Sequence, residues 1–242
     1  MLNSVLPLTT DDQITISMAS IPERKVGMLK VVEQLLPYCD NFDICLNGYP
    51  IDYYPEVLRN PKITIIRQNP NIGARGKFYL AGRTPGYHII VDDDIYYPDD
   101  CVTIIIQAIE KYRRKAIVGF HGHLLTFEHN QMYYFMLPYN TDLASDMPCH
   151  ILATNLFGYH SDTINIDGRT MLEGKIDDQV AALAQDSGVP LMLLKHTANW
   201  IQPMHDLDRI KALCRNIPLR EEAYERVKKR TWKLYMPNER IK

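Results

Sequence analysis

The apolar positions switch between two periods along the chain. Ile14-Thr15-Ile16-Ser17-Met18 alternates with period two and predicts a first strand. Ser20-Ile21-Pro22-Glu23 then has the form of a capping box, and it opens a predicted helix whose Val26, Leu29, Val32 and Leu36 share one face. Phe42 to Leu46 and Ile63 to Ile66 predict two further strands, the second reached through a Tyr/Pro-rich loop. Tyr87 to Val91 predicts another, fully apolar at Ile89-Ile90-Val91 as a strand covered on both faces would be. Pro98-Asp99-Asp100 starts a helix with an apolar stripe of Val102, Ile105, Ile106 and Ile109, and the plain role of Asp99 and Asp100 is to cap it. Alternating strands and helices of this kind predict an α/β fold with a mostly parallel sheet.

Length and composition fit that expectation. The 242 residues are 46% hydrophobic and 23% charged, enough to bury a sizeable core as one α/β domain. No apolar run reaches the roughly 20 residues a bilayer span needs, and Met1 to Asp12 lacks the pattern of a signal peptide, so a cytoplasmic protein is expected. The cysteines Cys39, Cys45, Cys101, Cys149 and Cys214 are scattered, with no C-x-x-C pair, which points away from a disulfide framework or a zinc site.

Net charge is −2, but residues 209–242 hold 11 Lys+Arg against 4 Asp+Glu, so a basic tail follows an acidic body. Two units are therefore expected, a domain over 1–208 and a basic helical extension over 209–242. Within the extension, Arg220 to Lys233 places Ala223, Val227, Tyr224 and Trp232 beside a Lys/Arg-rich side. Either a solvated helix or a peripheral membrane contact fits that pattern. With the basic residues confined to the tail, nucleic acid is not an expected partner.

One stretch calls for chemistry. His88 to Asp100 (HIIVDDDIYYPDD) sets five acidic residues after a buried strand, where repulsion and desolvation both cost free energy. A helix cap needs one carboxylate, whereas Asp92, Asp93 and Asp94 stand together. In an extended segment Asp92 and Asp94 project to one side, where a hard cation such as Mg²⁺ or Mn²⁺ would link them to substrate phosphates. The end of a strand is also where open α/β sheets bind ligands. An EF-hand starting at Asp92 is excluded, because Tyr97 stands where that loop needs Gly. A haloacid-dehalogenase-type phosphatase would need Thr or Val where Tyr96 stands.

An apolar strand ending in Asp-Asp-Asp-Ile-Tyr-Tyr-Pro resembles the DxD motif of GT-A fold glycosyltransferases. Met18 to Lys25, Cys45-Leu46-Asn47, Gly76-Lys77-Phe78, Val118 to Gly122 and Asn199-Trp200 follow in an order similar to the bacterial heparosan-type capsule α-N-acetylglucosaminyltransferase family, over roughly the first 200 residues. The resemblance implies a GT-A (Rossmann-like) domain that transfers a sugar, GlcNAc as first guess, from a UDP-sugar with Mn²⁺ or Mg²⁺. The acceptor it implies is a hydroxyl of a surface glycan or lipid-linked glycan.

The resemblance also implies roles for particular residues. Ala19, Ser20, Ile21, Arg24 and Asn47 would hold the nucleotide, with Arg75 and Lys77 at the diphosphate and Asp92 and Asp93 beside it. Asp92 and Asp94 would be metal ligands, with His205 as a third and His196 its competitor. Asp178, with Asp177, would supply the base at the start of a helix carrying Val180, Leu183 and Ala184 inward, or would orient the substrates in a retaining enzyme. His121 and His123 would hydrogen-bond sugar or acceptor, and Thr154 to Gly158 would cover the donor sugar. Tyr96, Tyr97, Tyr133, Tyr134 and Trp200 offer stacking faces, most of them expected to be packing. Two other classes fit the same residues: a Mg²⁺-dependent phosphohydrolase or nucleotidyltransferase, and a noncatalytic sugar-nucleotide-binding subunit.

Overall fold

A computed structural model describes residues 12–128, 131–172, 174–204 and 230–237. The strands are β1 (Gln13–Ser20), β2 (Asn41–Asn47), β3 (Ile63–Gln68), β4 (Gly86–Val91), β5 (Ile95–Tyr96), β6 (Ile117–Gly119), β7 (Gly122–Glu128), β8 (Gln131–Leu137), β9 (Met147–Cys149), β10 (Ile151–Leu152), β11 (Leu156–His160), β12 (Leu191–Leu193) and β13 (Gln202–Pro203). The helices are α1 (Lys25–Leu35), α2 (Cys101–Lys111) and α3 (Ile176–Ser187).

Eight of the strands form one sheet in the order β3-β2-β1-β4-β11-β6-β12-β9. Neighbours are parallel from β3 to β4, β11 runs antiparallel between β4 and β6, β12 is parallel to β6, and β9 closes the edge antiparallel. The result is an α/β fold with a large, mostly parallel central sheet, compatible with a Rossmann-like architecture.

The strand period sorts the core into two layers. Ile16, Met18, Phe42, Ile44, Leu46, Ile89 and Val91 face α1 and α2, whose Met28, Val31, Val32, Leu35, Val102, Ile105 and Ile109 are buried with them. On the other face Ile90, Ile117, Phe157, Tyr159, Leu191 and Leu193 pack with Val180, Ala181 and Ala184 of α3. The α2 stripe is as the sequence predicts. In α1 the buried face is turned by about one residue: Val26 is 52% exposed, and Met28 and Val31 are buried instead.

The reason lies at the start of α1. Pro22–Arg24 forms a 3₁₀ turn before the α-helix begins, and no side chain caps it. The expected capping box is absent because Ser20 is occupied elsewhere. Its Oγ lies 2.9 Å from the Tyr49 hydroxyl. Likewise neither Asp99 nor Asp100 caps α2 through its side chain; Asp100 is the N-cap residue with no side-chain hydrogen bond to the helix.

The described cysteines Cys39, Cys45, Cys101 and Cys149 are buried thiols, and Cys214 lies outside the described residues. Of the basic extension, 230–237 is described. It is irregular rather than helical at Thr231 to Met236, and it lies on the domain body. Lys233 N and O pair with the Gln185 side chain at 3.1 and 2.7 Å, and Trp232 sets an edge against the His150 ring. Among the described residues no helix is long and apolar enough to cross a membrane.

Candidate functional site

Because β1, β2, β3, β4, β6 and β12 all run the same way, the segments that leave their C-terminal ends meet along one edge of the sheet. Thr154 and Asn155 reach that edge as well, because they enter the antiparallel β11 beside Val91. Most of the residues singled out by the sequence lie there.

At the ends of β1 and β2 a cavity of about 220 Å³ is lined by Ile21, Pro22, Glu23, Asn47, Gly48 and Asn71. Asn47 builds its floor. Its Oδ1 accepts the Ile72 amide at 3.1 Å and its Nδ2 donates to the Gly73 carbonyl at 3.2 Å, so both ends of the amide are spent on shaping the loop. Tyr49 fixes the other wall, donating to the Ile21 carbonyl at 2.7 Å. Nothing in the spacing of the sequence marks Tyr49 for this. Ala19 lies beneath, 3.5 Å from where a Cβ on Gly76 would stand, so the 3₁₀ turn Gly73–Phe78 sits closely on the sheet.

That turn carries Arg75 and Lys77, and their fates differ. Lys77 is buried at 4% exposure, donating to the Thr154 carbonyl at 2.8 Å and forming an ion pair with Asp92. Arg75 donates to the Met171 carbonyl at 2.7 Å, with its Nε buried. Through that bond Arg75 anchors the 163–172 segment, whose Gly168 brings its backbone against the turn.

The three aspartates at the end of β4 divide. Asp93 points inward, its side chain 4% exposed, and accepts Arg24 Nη1 at 3.1 Å; the same Nη1 lies 2.8 Å from Asp94 Oδ2. Asp92 and Asp94 keep 32% and 15% of their side-chain surface. Desolvation pushes the Asp94 carboxyl up to about 7, and the neighbouring Asp92 charge adds to the shift against the opposing pull of Arg24. The Asp93 carboxylate is enclosed by Arg24 and Ser20.

Tyr97 organises this corner. It is 2% exposed, so the stacking face suggested by the sequence is packing instead. Its hydroxyl accepts the Asp92 amide at 2.7 Å and donates to the Asn155 carbonyl at 2.7 Å. Met204 N donates to the Asp94 carbonyl at 2.7 Å, and β13 pairs with β5, which brings the segment before His205 to the cluster. His205 itself lies outside the described residues, as do the side chains of Tyr133 and Tyr134. His196 Nδ1 donates to the Leu194 carbonyl at 2.8 Å.

Among the described residues three carboxylates here face two cations, Lys77 and Arg24, in a partly buried corner. No three His, Cys, Asp or Glu side chains among the described residues are grouped as a ready metal cage. A carboxylate pair at a strand end is nonetheless a donor set that suits Mg²⁺ or Mn²⁺, since such ions use one or two protein carboxylates and take the rest from substrate and water. The residues present therefore fit a divalent cation held by Asp92 and Asp94.

Across the edge, α3 follows its N-cap residue Lys175, whose backbone is left-handed with φ of 44°. Asp177 and Asp178 occupy its first turn. Asp177 Oδ1 accepts the Thr154 amide at 2.9 Å, so the Thr154 peptide is gripped by Asp177 on one side and Lys77 on the other. Asp178 is 7% exposed; its Oδ2 is buried without a hydrogen bond, with Lys175 Nζ at 3.7 Å. Burial pushes this carboxyl up to about 6, and the Asp177 charge contributes while Lys175 opposes. Capping is the work of neither residue, because Lys175 occupies that position.

The sequence matches no protein-family model and no curated protein. Among solved structures the chain is similar to HddC from Yersinia pseudotuberculosis, with TM-score 0.39 and 12% identity over 62% of this chain and 77% of that one. A likeness of that depth carries no argument about activity, so the functional reading rests on the residues along the carboxyl edge.

Proposed function

We propose that this chain is a metal-dependent glycosyltransferase of GT-A type, transferring a sugar from a UDP-sugar to a hydroxyl of a glycan or lipid-linked glycan. GlcNAc is the donor sugar that the resemblance of the DDD segment and its flanking motifs implies. The observation that carries the reading is the placing, along one sheet edge, of a cavity at the ends of β1 and β2, a carboxylate cluster at the end of β4 partly neutralised by Lys77 and Arg24, and a buried carboxyl with a raised pKa on α3.

Each group then has a task. Ile21 and Asn47 line the nucleotide cavity, with Ser20 behind it against Tyr49 and Ala19 beneath the Gly73–Phe78 turn. Asp92 and Asp94 hold the divalent cation, which when bound neutralises the charge that develops on the departing diphosphate. Lys77 and Arg24 are the cations placed to meet phosphate oxygens once the carboxylates engage the ion. Asp178 is the candidate base: with a carboxyl near 6 it is ionised at neutral pH yet basic enough to take a hydroxyl proton. Asp177 positions the Thr154 peptide against Lys77.

Calorimetry with UDP, with and without Mn²⁺, tests the reading on wild type and Asp94→Ala. Manganese-dependent binding that Asp94→Ala abolishes is expected. Metal-independent binding, or binding unchanged in the variant, overturns it. Incubation with UDP-sugars and glycosides separates the other classes: phosphate or pyrophosphate release marks a phosphohydrolase or nucleotidyltransferase, and binding without any UDP release marks a binding subunit.

A further inference from the structure

Both of the carboxylates proposed to hold the divalent cation already carry a cation of the chain itself. Lys77 Nζ is ion-paired with Asp92 Oδ1, and Arg24 Nη1 lies 2.8 Å from Asp94 Oδ2. Solvent reaches the first carboxylate more readily than its partner: the Asp92 side chain is 32% exposed, whereas that of Lys77 is 4% exposed. An ion arriving at Asp92 therefore competes with an ammonium held behind it.

Each resident cation also has a second partner that is not a proposed metal ligand. Lys77 Nζ donates to the Thr154 carbonyl at 2.8 Å, and Arg24 Nη1 lies 3.1 Å from Asp93 Oδ1. Those second partners are fixed in place. Thr154 N donates to Asp177 Oδ1 at 2.9 Å, the Asn155 carbonyl accepts the Tyr97 hydroxyl at 2.7 Å, and the Asp93 side chain is 4% exposed. Lys77 can thus let go of Asp92, and Arg24 of Asp94, while each stays anchored by its other contact.

The two exchanges differ in cost. Arg24 keeps a carboxylate, so its charge stays compensated. Lys77 keeps a carbonyl, and a buried ammonium stripped of its carboxylate is strongly destabilised. That penalty falls on any ion that takes Asp92 by itself. An anion brought to Lys77 at the same time removes it, and a phosphate oxygen is such an anion.

Resting on the transferase reading, we propose that Lys77 is a built-in competitor for the cation site. It holds Asp92 until a nucleotide diphosphate supplies a replacement anion, so the divalent cation binds tightly with the nucleotide and weakly without it. Lys77 thereby regulates metal binding, with the Thr154 carbonyl as its pivot.

Removing a competitor should tighten binding, the opposite of removing a ligand. Mn²⁺ alone is titrated calorimetrically into the full chain as wild type, Lys77→Met and Lys77→Gln, the last serving should Lys77→Met fail to fold. The Lys77 variants are expected to bind Mn²⁺ alone at least tenfold more tightly than wild type, and Mn²⁺ should raise their Tm further. Arg75→Met removes a cation from the same turn that bonds the Met171 carbonyl rather than a carboxylate, and should change the affinity less than threefold. Saturating UDP should tighten Mn²⁺ at least tenfold in wild type and by a smaller factor in the Lys77 variants. Affinity for Mn²⁺ alone that is unchanged or lowered in the Lys77 variants overturns the proposal, as does an equal gain in Arg75→Met, the mark of diffuse charge. If UDP binding with Mn²⁺ is intact and abolished by Asp94→Ala while the Lys77 variants show no gain, the donor reading stands and this one falls. If UDP does not bind while the Lys77 variants gain affinity for Mn²⁺, the donor reading falls and Lys77 stands as the competitor.

Discussion

The Tyr97 hydroxyl donates to the Asn155 carbonyl at 2.7 Å while accepting the Asp92 amide at the same distance, so one buried oxygen ties the end of β4 to the start of β11. Tyr97→Phe keeps the ring and strips both bonds, leaving an amide and a carbonyl unpaired in the core. A loss of about 1–3 kcal/mol is expected in urea unfolding. Because Lys77 and Asp92 are positioned by the same segment, affinity for UDP with Mn²⁺ should fall in the folded variant, which calorimetry would read.

Arg24 holds two of the three aspartates. Arg24→Ala leaves Asp93 enclosed without its guanidinium, and removing one partner of a buried pair costs about 3–5 kcal/mol. Combined with Asp93→Asn the loss should shrink to well under half of that. A double-mutant cycle in chemical denaturation checks the coupling; strictly additive losses would show that Asp93 does not depend on Arg24.

Burial and the neighbouring Asp92 hold the Asp94 carboxyl near 7. Since its folded pKa exceeds its unfolded one, the folded protein binds the extra proton, and stability falls as pH rises from about 4 to 7. Asp94→Asn removes this dependence. The stability of the variant relative to wild type should therefore grow with pH by on the order of 2 kcal/mol, as followed in parallel urea titrations at pH 5 and 8. Mn²⁺ should raise the Tm of wild type at pH 8 and leave that of Asp94→Asn unmoved.

Gly76 is set by space. A Cβ there would stand 2.5 Å from Cys45 Sγ and 2.8 Å from Cys45 Cβ. Gly76→Ala should cost about 1–3 kcal/mol by overpacking and lift the turn that carries Lys77, weakening UDP binding as well. Cys45→Ala in the same chain should restore part of both, measured by thermal unfolding and calorimetry.

The fold was well marked in the sequence. Strands β1 to β4 and the apolar stripe of α2 follow from period and punctuation, which are local properties of the chain. The site was marked in its residue types and hidden in its pairings. Asp92 and Asp94 carried the signal of an acidic strand end, and Asp178 that of a carboxylate opening a helix. Which of the three aspartates would be internal, and that Arg75 would turn to the Met171 carbonyl while Lys77 went to Asp92, had no mark in spacing. Capping was the clearest misdirection: Ser20 and Asp100 have the right identity for it, and neither does it, because tertiary partners and backbone geometry decide the competition for a side-chain oxygen.

By itself the sequence determined the succession of strands and helices and the gathering of negative charge where β4 stops, since both depend on neighbours a few residues away. The tertiary structure decided which cations meet that charge. Arg24 lies 69 residues from Asp93, and Lys77 lies 77 from the Thr154 carbonyl it holds. Contacts over such separations exist once parallel strands place their C-terminal ends side by side.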